Sequence, residues 1–386
     1  MATRVFVSAG EASGDLYAAS LIAALRRHFP DAQFFGCAGP RMQSAGVHAI
    51  VDAHSIAVIG LIEVLGHLPR IYREFRNLVG SAQREKPDFA ILTDSPDFNL
   101  RVAKKLKKLG IPVFYLVAPQ VWAWRRDRLP GIRSTVRKLL CIFPFEQAFF
   151  REHGINADYI GHPLTRLVKP SVTRATFFEQ HGLPADRPLI ALLPGSRPGE
   201  ISRHLRQLAD AADRIRKAVP CSLVAGAPPG FSRSVEVSKF WELFSSRSIQ
   251  VFEGSTWDLL AHADLALAAS GTVTVEAAVL GTPMVTFYRV SGLSWWMGRF
   301  LVKVPFYSMV NLIAGHRVVP ELIQDQMTGE ALSSEALRLL GDSGAMDEMR
   351  RGLGEVRARL ASDRDPMETA ADLIRSEFEK ELVHDR

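Results

Sequence analysis

The chain has 386 residues, 47% hydrophobic and 23% charged, a globular composition that suits two or three domains and excludes disorder, collagen and disulfide mini-proteins. Its net charge of +6 is uneven: residues 1–165 hold 21 basic against 14 acidic side chains, a surplus of +7, and the remainder holds 26 against 27. The first half is therefore the side expected to face phosphates, nucleic acid or an anionic membrane, with a solvated basic surface as the plain alternative.

The opening MATRVFVSAG reads as a strand over 4–7 and lacks the basic start and apolar core of a secretory leader. The loop SAGEASGD (8–15) comes directly after it, with two glycines in G-x-x-x-G spacing and Glu11 between them. That is not the dinucleotide fingerprint, and an acidic residue there opposes a pyrophosphate. The loop reads as an acceptor-sugar contact or as a structural turn, with Asp15 or Ser13 capping the next helix. Residues 56–79 then carry Ile59, Leu61, Ile62, Val64, Leu65, Leu68 and Ile71, together with Arg70, Arg73 and Arg76. This is more apolar surface than one buried stripe requires, as in interfacial helices, although core packing explains it equally well.

A strand over 89–93 runs into Asp94-Ser95-Pro96-Asp97, so two carboxylates stand at a strand's carboxyl end, where open parallel sheets bind ligands. One of the pair is a candidate general base; the alternative is that Asp97 caps a helix beginning near Asn99. Further strands are expected over 113–117 and 139–143, with Trp122 and Trp124 between them to stack a sugar or wall a cleft. A short strand is expected over 158–160, and a break follows between Gly161-His162-Pro163 and Pro170.

The second half repeats the rhythm with strands over 189–193, 222–225, 249–252, 264–268 and 283–287. After the first of these, Gly195, Ser196 and Arg197 offer an open backbone and a planar cation suited to a diphosphate, without the lysine and hydroxyl of a P-loop. After the fourth, Ser270, Gly271 and Thr272 start a helix whose free N–H groups suit phosphate, and Glu276 sits about a turn inside to hold ribose hydroxyls. Together they point to a nucleotide diphosphate. Leu293–Leu301 (LSWWMGRFL) pairs aromatics with cations and reads as core, interface or acyl-chain cover. Apolar strands alternating with helices give an α/β fold of two doubly wound parallel-sheet domains. The expected divisions are 1–165, 170–340 and a helical tail over 341–386 that packs back across a cleft or onto a partner. Three scattered cysteines and unpaired histidines give no metal spacing, so neither metal nor cofactor is expected, and no nucleic-acid recognition motif appears.

Several co-linear motifs resemble the lipid-A-disaccharide synthase family: SAGEASGD, DSPDFN, VWAWR, PFE before Gln147, GHPL, LLPGSR, ASGTVTVEAA, and Asn311 with the later VPELIQ. The resemblance implies a GT-B-type glycosyltransferase, with the acceptor on the first Rossmann-like domain and the sugar nucleotide mainly on the second. It implies transfer from UDP-2,3-diacylglucosamine to 2,3-diacylglucosamine 1-phosphate, forming a β-1,6 disaccharide and UDP with inversion and without metal. Residue by residue, it makes Asp97 the essential acid with Asp94 its neighbour, and gives UDP to Arg197, Ser196, Ser270, Gly271, Thr272 and Glu276. Glu11, Ser13, Asn311 and Trp124 fall to the acceptor side of the cleft. The chain departs from commoner members in LVAPQ over 116–120, which puts any serine role there in question. Acylated substrates give Ile62, Leu65, Leu68 and Ile71 a reading as lipid contacts at the anionic inner-membrane surface. The expected place is thus the cytoplasm, peripherally on the inner membrane; self-association as a homodimer is left open. Other readings are a UDP-N-acetylglucosamine epimerase, an undecaprenyl-linked glycosyltransferase, or a non-enzymatic nucleotide-sugar or membrane-binding module.

Overall fold

The computed structural model describes residues 2–55, 61–227, 238–254, 256–292, 295–296 and 304–384. The chain divides into two compact units, Met1–Pro163 with Leu360–Arg386, and Leu164–Arg359. The first unit is a parallel sheet of seven strands, β1 (Arg4–Ala9), β2 (Gln33–Ala38), β3 (Val47–Asp52), β4 (Phe89–Thr93), β5 (Val113–Leu116), β6 (Lys138–Cys141) and β7 (Ala157–Tyr159). Their order is β3-β2-β1-β4-β5-β6-β7, so the winding reverses between β1 and β4. Apart from Arg4, every residue of β1, β4, β5 and β6 is buried. Such unbroken burial is what helices on both faces of a parallel sheet demand.

The second unit repeats the plan with six parallel strands: β8 (Leu189–Leu193), β9 (Ser222–Ala227), β10 (Gln250–Glu253), β11 (Leu265–Ala269), β12 (Met284–Tyr288) and β13 (Glu321–Ile323). Their order is β10-β9-β8-β11-β12-β13, and the reversal falls between β8 and β11. Three strands escape the sequence pattern. β2 is interrupted by Gly36, β3 is an edge strand with a half-exposed pattern, and β13 is only three residues long. Val117 leaves β5 because it takes a left-handed backbone, φ 65°, unusual for a β-branched residue.

The tail is divided. Helix Ser343–Leu360 lies in the second unit up to Arg359, whereas helix Pro366–His384 completes the first and lies along helix Ala12–His28. It buries Met367, Ala370, Ala371 and Ile374, and the Phe378 ring stands 5.1 Å from Phe89 and 6.0 Å from Phe29. Ion pairs Arg27–Glu368 and Arg137–Glu377 rim the seam, with the His28 ring 3.1 Å from the Asp372 carboxylate. Pairs of this exposed kind contribute ~0–1 kcal/mol each, against roughly 1.5–3 kcal/mol for each large apolar side chain buried, so the apolar face holds the helix. Among the described residues no helix is long and apolar enough to cross a membrane.

One close approach governs the start of the first unit. A Cβ on Gly14 would stand 1.6 Å from the Asp94 carboxylate, and one on Gly10 would stand 2.3 Å from the Ser95 hydroxyl. Gly14→Ala should therefore lower stability by about 1–3 kcal/mol, the usual cost of overpacking. Gly131→Ala, in helix Leu129–Thr135 with nothing within 4 Å, should instead raise it by about 0.5–1 kcal/mol. Urea unfolding of both variants tests the contrast; a Gly14→Ala protein as stable as the parent would refute the close approach.

Candidate active site

The winding reversal of the first sheet brings the β1 and β4 loops side by side, and Asp94 bolts them together. Its Oδ1 accepts from Gly10 N at 2.8 Å and its Oδ2 from Glu11 N at 3.1 Å. The turn itself is held from behind: the Asp94 carbonyl accepts from the Tyr115 hydroxyl at 2.5 Å and from Asn99 Nδ2 at 3.1 Å. Buried Asn99 also donates to the Thr93 carbonyl at 2.8 Å and accepts from the Ser8 hydroxyl at 2.7 Å. This support keeps Asp94 and Ser95 in left-handed conformations, φ 53° and 39°, that non-glycine residues rarely adopt. Burial, and then the charge of Glu11, push the Asp94 carboxyl up to about 8, against the lowering effect of the Gly10 N–H, the Ser95 side chain and the Glu11 N–H. Asp94 is a clamp, with both oxygens committed to the backbone.

Asp97 is its opposite. Helix Pro96–Lys108 begins one residue before it, with Ser95 at the N-cap, so Asp97 sits in the first turn and does not cap a helix at Asn99. Its side chain is 69% exposed and pairs with Arg128, whose own side chain is 10% exposed. The Arg128 guanidinium lies 5.9 Å from the Trp124 ring centroid and Arg125 lies 5.7 Å from it, so two cations lie beside an exposed indole. Trp122 faces inward and donates to the Glu146 carboxylate at 3.1 Å, which also accepts from Phe143 N at 3.2 Å. Burial pushes the Glu146 carboxyl up to about 8, and those two donors, with Ile142 N, oppose the shift. His162 is also buried, its pKa driven down to about 3 by desolvation, with its ring against Tyr17 and Phe143.

Glu11 stands at the N-cap of helix Ala12–His28, and Ser13 lies in its first turn, half-buried. Neither Ser13 nor Asp15 caps that helix through a side-chain hydrogen bond. Asp15 instead accepts from Arg41 N at 2.9 Å and Met42 N at 3.1 Å, holding the start of helix Pro40–Ser44.

The second sheet's reversal assembles a basic counterpart. Gly195 turns the chain after β8 at φ 121°, and a Cβ there would stand 2.9 Å from the Glu200 carboxylate and 3.8 Å from Ala269 Cβ. The β8 and β11 loops are thus neighbours. Arg197 donates to Glu200 at 2.9 Å, and the Tyr288 hydroxyl donates to the same carboxylate oxygen at 3.1 Å. Ser196 is exposed. Ser270 donates through its hydroxyl to the Tyr307 carbonyl at 3.0 Å, and Gly271 forms an uncapped N-terminus for helix Thr272–Leu280, with Thr272 exposed and Glu276 half-buried. Below them buried His204 bonds the Pro194 carbonyl at 2.7 Å and the Arg289 backbone, tying β8 to β12.

Asn311 requires correction as a substrate contact. It is wholly buried, and its amide donates to the Val319 carbonyl and Glu321 while its oxygen accepts from Val318 N and Val319 N. No hydrogen-bonding capacity is left for a ligand. Its place is behind the loop that carries Tyr307 and Ser308, both of which donate backbone N–H groups to Glu321. Among the described residues, no three His, Cys, Asp or Glu side chains converge as metal ligands. Ile71 is half-buried; residues 56–60 and 297–303, and the side chains of Ile62, Leu65 and Leu68, lie outside the described residues. Arg128, Tyr115 and Glu146 were not anticipated as site residues. Only Glu146 left a usable mark, in the PFE segment.

A family model described as lipid-A-disaccharide synthetase matches residues 5–365. The chain is 56% identical over 381 residues to the lipid-A-disaccharide synthase of Solibacter usitatus (strain Ellin6076), covering 99% of both chains. It is 45% identical to that of Myxococcus xanthus (strain DK1622), covering 92% of this chain and 93% of the relative. Among solved structures it resembles CalG4, the calicheamicin glycosyltransferase, at a TM-score of 0.60 and 15% identity, covering 97% and 98% of the two chains. That last likeness is one of fold.

The buried Glu146 carboxyl gives a signed pH dependence. Because folding raises its pKa from 4.5 to about 8, its contribution is fully present below pH 4.5 and is lost as pH rises through about 8. The melting temperature should fall between pH 5 and pH 9, and fall less steeply in Glu146→Gln, which keeps an acceptor for Trp122. Parallel melting curves across that range would show that Glu146 does not titrate with folding.

Proposed function

The chain belongs to the lipid-A-disaccharide synthase family, and from that premise we propose how its residues share the work of joining two acylated glucosamines. The enzyme transfers 2,3-diacylglucosamine from its UDP derivative to 2,3-diacylglucosamine 1-phosphate, giving the β-1,6-linked lipid A disaccharide 1-phosphate and UDP. Inversion requires in-line attack by the acceptor 6-hydroxyl on the donor's C1, through an oxocarbenium-like state. The attacking hydroxyl must lose a proton, and the departing UDP must have its charge stabilised.

Asp97 takes the proton. The observation that carries this choice is the contrast between the two carboxylates: Asp94 spends both oxygens on Gly10 and Glu11, whereas Asp97 is exposed and oriented by Arg128. Trp124 offers an aromatic face to the acceptor sugar beside that pair, and Glu11 and Ser13 line the same loop mouth. Arg197 and Ser196, with the helix start at Ser270, Gly271 and Thr272, hold the diphosphate, and Glu276 takes the ribose. The uncapped N–H groups of helix Thr272–Leu280 support that division, as does the Glu200 carboxylate that orients Arg197.

Asp97→Asn should reduce turnover by about 10²–10⁴-fold with UDP binding preserved. Arg197→Ala should weaken UDP binding by roughly 10–150-fold, the range expected for losing a charge-assisted hydrogen bond. UDP release in mixed micelles and calorimetric UDP titration read the two effects separately. An active Asp97→Asn enzyme would reassign the base.

The same reading puts the enzyme in the cytoplasm, peripherally bound to the anionic face of the inner membrane where its acylated substrates reside. The basic surplus over 1–165 and the apolar run over 61–68, within helix Leu61–Glu85, support it. Leu65→Ser with Leu68→Ser should lower liposome partitioning several-fold; unaltered partitioning returns that stretch to the core. A homodimer is part of the same proposal, and sedimentation velocity at the 42.7 kDa of one chain would reject it.

A further inference from the structure

A groove of about 490 Å³ opens between edge strand β3 and helix Leu61–Glu85, lined by Ile50, Tyr72, Arg73, Arg76, Asn77 and Arg84. The helical residues fall at positions 72, 73, 76, 77 and 84, one face of a 3.6-residue repeat. Gly80 lies on that face between the cations, and a Cβ there would meet the Arg84 guanidinium at 3.4 Å. Arg73 is bonded to Glu74 at 3.1 Å, and Asn77 to the other oxygen of that carboxylate at 3.3 Å. Neither Arg76 nor Arg84 has a carboxylate within 4 Å among the described residues. Two guanidinium groups therefore face a cavity with an apolar wall at Ile50 and a 63% exposed phenol at Tyr72.

We propose that this groove binds the phosphate of an anionic bilayer phospholipid, an inference that rests on the membrane reading above. Guanidinium groups pair two-pronged with phosphate oxygens, and tyrosine is a residue of the headgroup layer. The groove also sits on the same helix as the apolar run over 61–68, so a lipid seated here would share its bilayer with that run. The helix also packs beside the one that carries Asp97, Phe75 standing 5.9 Å from Phe98, so the acceptor's own phosphate is the rival ligand that the test separates.

The test is cosedimentation at low salt with vesicles of phosphatidylcholine alone and of phosphatidylcholine with phosphatidylglycerol. The enzyme should prefer the anionic vesicles, and Arg76→Gln with Arg84→Gln should reduce that preference by about 30-fold, as two interfacial arginines imply. A control that removes two exposed charges elsewhere on the unit, Lys105→Gln with Lys108→Gln, should reduce it much less. Equal losses in the two variants would mean a diffuse field and no site. An enzyme that binds both vesicles equally overturns the groove but not membrane association; one that binds neither overturns both. A raised acceptor KM for the arginine variant in neutral detergent micelles, where no bilayer phosphate exists, would hand the groove to the acceptor instead.

Discussion

One carboxylate determines the shape of the first unit's working edge. Asp94 bonds two successive backbone N–H groups of the β1 loop from a turn that belongs to β4, and so closes the sheet at the point where its winding reverses. The glycines of SAGEASGD are a consequence of this closure, because any Cβ at residue 10 or 14 would collide with the Asp94-Ser95 turn. So is the left-handed backbone at 94 and 95, which only the hydrogen bonds from Tyr115 and Asn99 make tenable. Asp97 inherits its exposed position from that turn.

The two units solve the same topological problem with opposite chemistry. Each has a reversal point where adjacent strands lead to opposite sides, and each places its small residues there. In the first, the loops present Glu11, Asp94 and Asp97, with Arg128 paired to the last, a set able to take a proton. In the second they present Arg197 and an uncapped helix start, a set that attracts phosphate. Under the proposal above the split tracks the charge: an acidic donor goes to backbone N–H groups and a guanidinium, and a hydroxyl acceptor goes to carboxylates.

Much of this was legible in the sequence. Fully buried parallel strands announce themselves as apolar runs, and both reversal-point loops lie where those runs end, at the carboxyl termini of β1, β4, β8 and β11. The strands that escape such a reading lack that signal for physical reasons: β3 is half-exposed at an edge, β13 is too short, and β2 carries a glycine at φ 146°. Partnership was illegible. Nothing in a linear reading distinguishes Asp94, whose two oxygens are held by backbone N–H groups, from Asp97, three residues on, whose exposed carboxylate meets a guanidinium. Asn311 misled for the same reason. A fully bonded amide inside a loop is as exacting about its residue type as a ligand contact, and the motif alone does not say which is meant. Arg128 was invisible because its meaning lies in a pairing across 31 positions.

The helix Pro366–His384 gives the order of synthesis a structural meaning. The face of the first unit formed by Phe29 and Phe89 is covered by Phe378, which is synthesised long after both. Until Phe378 emerges that face stands bare, although all seven strands of the first unit are made by residue 159. The nascent chain thus carries an unfinished first unit throughout synthesis of the second, which runs to Arg359, with exposed aromatic surface during the interval when aggregation and chaperone capture compete with folding. Stop codons or proteolysis ahead of Phe378 act, in effect, as lesions in the sheet formed first.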